Sequence, residues 1–94
     1  MSNLDPRFFA LMFDPFFACV LLGKDCDQKA LHTHEIMVQR ISKLPGQTQK
    51  SVLAGLQTEL QRTKGQLTKI TDPVIKAGMN RKVDAIVKIL KDFS

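Results

Sequence analysis

The apolar positions of this chain fall into four blocks of helical spacing, the clearest running through residues 48–71. There Leu53, Leu56, Leu60, Leu67 and Ile70, with Thr63 in the gap, recur at steps of three and four and so share one stripe of a helix. Before it, Ala30, Leu31, His34, Met37, Val38, Ile41 and Leu44 form a second stripe, with Asp27 placed to cap a helix that ends near residue 44. Pro45 and Gly46 predict a tight turn, and Gln47 or Thr48 opens the long helix. A further stripe, Ile75, Met79, Val83, Ile86, Leu90 and Phe93, follows Asp72-Pro73. The Phe-rich start reads as two short helices, about 6–13 and 15–22, with Gly23 as a stop. Asp-Pro stands at Asp5-Pro6, Asp14-Pro15 and Asp72-Pro73; Asp can cap a first turn, and Pro at the first helical position loses no needed donor. No stretch alternates with period two for long enough to make a strand, so the predicted class is all-α.

A chain of 94 residues makes a single helical domain, near the lower end of what folds without staples. Residues 1–23 read as a Phe-rich packing or dimerisation segment, and residues 27–92 as a helical hairpin plus a C-terminal helix. The short connection at residues 45–47 predicts that the helices on either side lie antiparallel as neighbours. The long helix would span roughly 36 Å at 1.5 Å per residue. Its seam, with a period near 3.5 for about three heptads, suits side-by-side helix packing. One hairpin of this length cannot bury both faces of its seam. Either Phe8, Phe9, Phe13, Phe16 and Phe17 or a second copy must complete the core, and a homodimeric bundle is expected.

Charge sharpens the picture. The formal net charge is +5 and the isoelectric point near 9.5. The balance rises from −1 over residues 1–23 to +3 over residues 73–94. Such a chain favours polyanionic partners. The apolar run from Phe8 to Leu22 is divided by Asp14-Pro15 and falls short of the roughly 18 residues a membrane span needs. It lacks the layout of a signal peptide, and its negative balance does not suit an interfacial helix. Two cysteines, Cys19 and Cys26, do not make a disulfide framework. Cys19 reads as a small buried hydrophobe, and a reducing, cytoplasmic setting is expected.

Catalytic chemistry finds little support. His32 and His34, two apart, point to nearly opposite sides of a helix and cannot share an ion, and Cys26 adds no familiar ligand spacing. No nucleophile elbow or phosphate-loop glycine pattern is present. The expectation is a non-enzyme without metal, cofactor or small-molecule substrate.

The outer face of the long helix is more informative, because Gly55, Thr58, Gln61, Arg62, Gly65, Thr68 and Lys69 make it small, flat and positive. Arg62 and Lys69, seven apart, share a side about 10.5 Å apart along the axis. Lys50 and Lys64 flank the seam, and Arg81 adds to the charge of the last helix. Gly55 and Gly65 each cost about 1 kcal/mol of helix stability against Ala, and a bare backbone lets another surface approach closely. Ser51, Thr58, Gln61 and Thr68 supply short groups that bond phosphate oxygens and sugar hydroxyls. With no aromatic among them to stack on single-stranded bases, a duplex is the expected ligand. A-form RNA, read by shape through phosphates and 2′-hydroxyls, fits best. The candidate contacts are Lys50, Ser51, Thr58, Gln61, Arg62, Lys64, Gly65, Thr68, Lys69 and Arg81.

The run Leu56, Leu60, Arg62, Lys64, Lys69, Ile70 in one long helix, between a shorter antiparallel helix and another, resembles the small helical RNA-silencing suppressors of nodaviruses over roughly residues 28–90. The resemblance implies a homodimer lying along one face of double-stranded RNA, independent of sequence. It would shield the RNA from Dicer-type cleavage and from loading into the silencing machinery, in the cytoplasm of the host. Arg62 and Lys69, with Lys64 nearby, would then be the phosphate contacts. The first 22 residues are outside that family's pattern. The alternative is a helical interaction module, chaperone-like or binding a host factor, that docks through its Phe-rich N-terminus.

Overall fold

The Phe-rich segment forms one helix rather than two. In a computed structural model that describes residues 6–22 and 34–93, α1 (Pro6–Leu22) runs unbroken through Asp14-Pro15. Phe9, Phe13, Phe16 and Phe17 lie at helical spacing on both sides of the proline, and the last three are buried. Pro15 sits on the exposed side, where it removes the bond to the carbonyl of Leu11. An interior proline costs about 3 kcal/mol, and burying aromatic rings on both sides of it offsets that. The predicted break therefore does not occur.

Three helices follow, α2 (His34–Ser42), α3 (Gly46–Leu67) and α4 (Pro73–Asp92), and no strand occurs among the described residues. The fold is all-α. Asp5, Gly23, Cys26, Asp27, Ala30, Leu31 and His32, which the sequence reading used, lie outside the described residues. α3 starts earlier and stops earlier than predicted. Lys69 and Ile70 donate to Gln66 and Leu67 at 3.0 and 3.4 Å, tightening the chain before it leaves the helix. Asp72 behaves as the Asp-Pro pattern predicts, its Oδ1 accepting from the amides of Val74 and Ile75 at 2.8 and 3.3 Å.

The short connection at residues 45–47 predicts α3 paired with the helix before it, but α2 is too short to cover the seam of α3. The main antiparallel hairpin is instead α3 with α4. Glu59 meets Lys82 across it, at equal distances along the chain from a turn centred near residue 70. α4 also packs against α1 and α2. Leu21 lies against Gly78 and Phe17 against Lys82, so α1 runs antiparallel to α4. α2 crosses the end of the bundle. His34 Nε2 is 2.8 Å from Asp92 Oδ2, and Gln49 Nε2 donates to the Ile41 carbonyl at 3.1 Å.

Phe13, Met37, Ile41, Val52, Leu56, Ile86 and Ile89 have no exposed surface and form the centre, joined by Phe16, Phe17 and Leu60. Ring centroids along α1 step at 4.7 Å from Phe9 to Phe13 and 5.6 Å from Phe13 to Phe17. The seam of α3 holds at Leu56, Leu60 and Thr63, all buried as predicted, and differs at its ends. Val52 is central, while Leu53, Leu67 and Ile70 are half-buried. On α4 the buried line is Gly78, Lys82, Ile86 and Ile89, and Ile75 is 53% exposed. A helix flanked by neighbours on two sides buries the line between its flanks, not its most apolar stripe. Phe8 is exposed; Phe13, Phe16 and Phe17 complete the core within one chain, so the core does not require a second copy.

Cys19 is buried, as its apolar setting predicts, and it is disulfide-bonded rather than a free thiol. Among the described residues no helix is long and apolar enough to cross a membrane.

Two glycines lie where helices touch. A Cβ on Gly55 would meet the Phe9 ring at 2.8 Å, and one on Gly78 would meet the Leu21 carbonyl oxygen at 2.9 Å. Gly65 has open space around it. Gly65→Ala is therefore expected to stabilise the protein by about 1 kcal/mol in urea unfolding, whereas Gly55→Ala gains nothing or loses stability. Equal gains at both sites would show that Phe9 does not rest on Gly55. Asp72→Ala is expected to cost about 1 kcal/mol in the same measurement.

Candidate nucleic-acid interface

With α4 and α1 packed on its inner sides, α3 keeps one ridge for solvent. Lys50, Ala54, Thr58, Gln61, Gly65 and Thr68 are all exposed, and successive members stand three or four residues apart. From Lys50 to Thr68 that ridge is roughly 27 Å long at 1.5 Å per residue. It carries no carboxylate. Glu59 is the one acid in α3, and it turns inward, its side chain 17% exposed against Lys82.

The other predicted contacts divide around this ridge. Arg62 stands on the α1 side, its side chain 63% exposed, and Nη1 donates to Glu59 Oε1 at 3.1 Å. Lys64 is exposed, seven residues after Gln57, which lines a shallow hollow with Leu60, Val87, Leu90 and Lys91. That spacing puts Lys64 on the α4 side, away from Arg62. Ser51 is half-buried. Lys69 is exposed but lies in the turn beyond Leu67, not at the helical seven-residue spacing from Arg62 that the sequence predicted.

Two predicted residues do other work. Gly55 is covered by Phe9, so its bare backbone admits α1 rather than a ligand. Arg81 closes the end of α1: its Nε and Nη2 donate to the carbonyls of Val20 and Leu21 at 3.0 and 2.7 Å. A cation there satisfies carbonyls left open at a helix C-terminus. Both roles depend on a contact remote in sequence, which periodicity cannot reveal.

The threonines also differ from expectation. Thr58 Oγ1 donates to the Ala54 carbonyl at 3.2 Å and Thr68 Oγ1 to that of Gly65 at 2.7 Å. Each hydroxyl proton is thus used within the helix. What the ridge offers outward is lone pairs, which accept from a ribose 2′-hydroxyl but cannot donate to phosphate.

Beside the ridge, α1, α3 and α4 enclose an open cleft of about 440 Å³. Its apolar floor includes Phe9, Phe17 and Leu21, and its rim Asp14, Glu59, Arg62 and Lys82. Lys82 is the residue that sequence reasoning missed. Its ammonium lies 2.7 Å from Glu59 Oε2 and 4.6 Å from the Phe17 ring centroid, with the side chain 11% exposed. His34 lies at the far end of the bundle, apart from this region. Among the described residues no group of three or more His, Cys, Asp or Glu side chains could hold a metal ion. No protein-family model, curated protein or solved structure matches this chain.

Proposed function

We propose that this protein binds double-stranded RNA without reading its sequence, along the solvent ridge of α3, and so antagonises RNA silencing. The observation that carries the reading is the ridge itself, long, free of carboxylates, begun by Lys50 and bordered by Arg62, Lys64 and Lys69. Lysine and arginine would neutralise phosphates, while Thr58 and Thr68 accept from ribose hydroxyls. Gly65, with nothing near its missing side chain, lets the duplex come close toward the C-terminal end of the ridge. In this reading two copies pair through the outer side of α1, where Phe8 and Leu11 are exposed, and extend the ridge along the duplex.

A second reading has its own support in Leu11, 80% exposed beside Phe8. These side chains suit an interaction module that docks a partner protein on α1. The buried Phe13, Phe16 and Phe17 would not take part.

Gel retardation of duplex RNA, duplex DNA and single strands separates the two. Four phosphate contacts predict a fall in affinity of about 100-fold between 50 and 200 mM salt. Lys69→Ala is expected to weaken binding to any duplex sequence and to reduce the salt slope by about one. Duplex RNA should bind more tightly than duplex DNA. Absence of any retardation at low salt would exclude the RNA reading and leave the α1 surface as the functional one.

A further inference from the structure

Resting on the duplex-binding reading, we propose that Glu59 is an internal surrogate for a backbone phosphate: it holds Arg62 in the RNA-free protein and yields it to RNA, while Lys82 keeps the carboxylate. The two oxygens of Glu59 serve different cations. Oε2 takes Lys82 at 2.7 Å and Oε1 takes Arg62 at 3.1 Å. Their surroundings differ sharply. Lys82 is shut between α1, α3 and α4 under the Phe17 ring, so parting it from Glu59 would leave buried charges unpaired. Arg62 faces solvent, and losing its half of the contact returns a guanidinium to water at little cost. The inner bond is fixed and the outer one exchangeable.

Phosphate can replace the carboxylate because both present oxygens to the same guanidinium fork. Arg62 is held through Nη1, so a phosphate can engage its other donors before Glu59 lets go. The open cleft at its side gives the arm room to swing. Lys82 then neutralises the carboxylate left behind, which would otherwise repel the RNA. Glu59 and Lys82 are positioning residues in this scheme, and Arg62 is the contact.

The test is a thermodynamic cycle read by fluorescence anisotropy with a labelled RNA duplex at one salt concentration. Glu59→Gln with Lys82→Met removes the holding carboxylate and its buried partner together, leaves the net charge unchanged and keeps an apolar stem over Phe17. This pair is expected to tighten binding roughly two- to five-fold, the range of an exposed ion pair. In an Arg62→Gln background the gain should vanish. A gain that persists without Arg62, or no gain in a variant that melts cooperatively, overturns the proposal and leaves duplex binding standing. A wild-type protein that does not bind duplex RNA removes the underlying reading, and the proposal with it, before any variant is compared. Should the double variant not fold, NMR of the wild-type chain decides: adding duplex should shift the Arg62 Nε–Hε resonance and leave the Lys82 ammonium resonance in place. Movement of Lys82, or none of Arg62, overturns the proposal.

Discussion

α3 and α4 form an antiparallel pair whose apolar lines are too broad to be buried by two helices alone, and α1 is the helix that covers what remains. Its row of phenylalanines packs into the cleft between them, and α4 ends in contact with all three other helices. That packing requires close approach at two points, under Phe9 at Gly55 and under the Leu21 carbonyl at Gly78. A Cβ at either site would press on α1, and the seating of the aromatic row would change with it. The proline inside α1 is tolerated for the same reason, because the rings on both sides of it are held by one surface.

This packing also sets the electrostatics. Seating α1 encloses Lys82 beside Phe17, and an enclosed ammonium needs a carboxylate, which Glu59 supplies from α3. Drawing Glu59 inward takes the one acid of α3 off its outer side. The ridge that remains owes its positive surroundings as much to the position of that acid as to Lys50 and the cations beside it. Arg81 has a similar history, since the end of α1 needs its open carbonyls satisfied and the guanidinium reaches them. Core packing thus ties one predicted cation to the end of α1 and turns one anion inward.

Much of the architecture was legible in the spacing of residues. The long helix, the turn at Pro45, the Asp72 cap and the all-α class follow from local rules, because capping and amphipathic period act within a few residues of the chain. Thr58, Gln61, Gly65 and Thr68 were placed on the outer side of α3 correctly for that reason, whereas Lys50, read as flanking the seam, joins them there. The joining of two short N-terminal helices into one was not legible, since proline's local preference yields only to burial that the sequence does not display. The disulfide at Cys19 was missed because pairing depends on distance between sulfurs in space, which spacing along the chain does not give.

The sequence by itself determined the all-α class, the three later helices and the surplus of positive charge. Helical period and capping act over three or four residues, and charge is a matter of composition. Only the tertiary structure decided which helix pairs with which, that Gly55 serves α1, that Arg81 closes a helix end, and that Glu59 faces Lys82. Those outcomes join residues more than twenty positions apart, and they are set by which surfaces can approach closely once the phenylalanine row is buried.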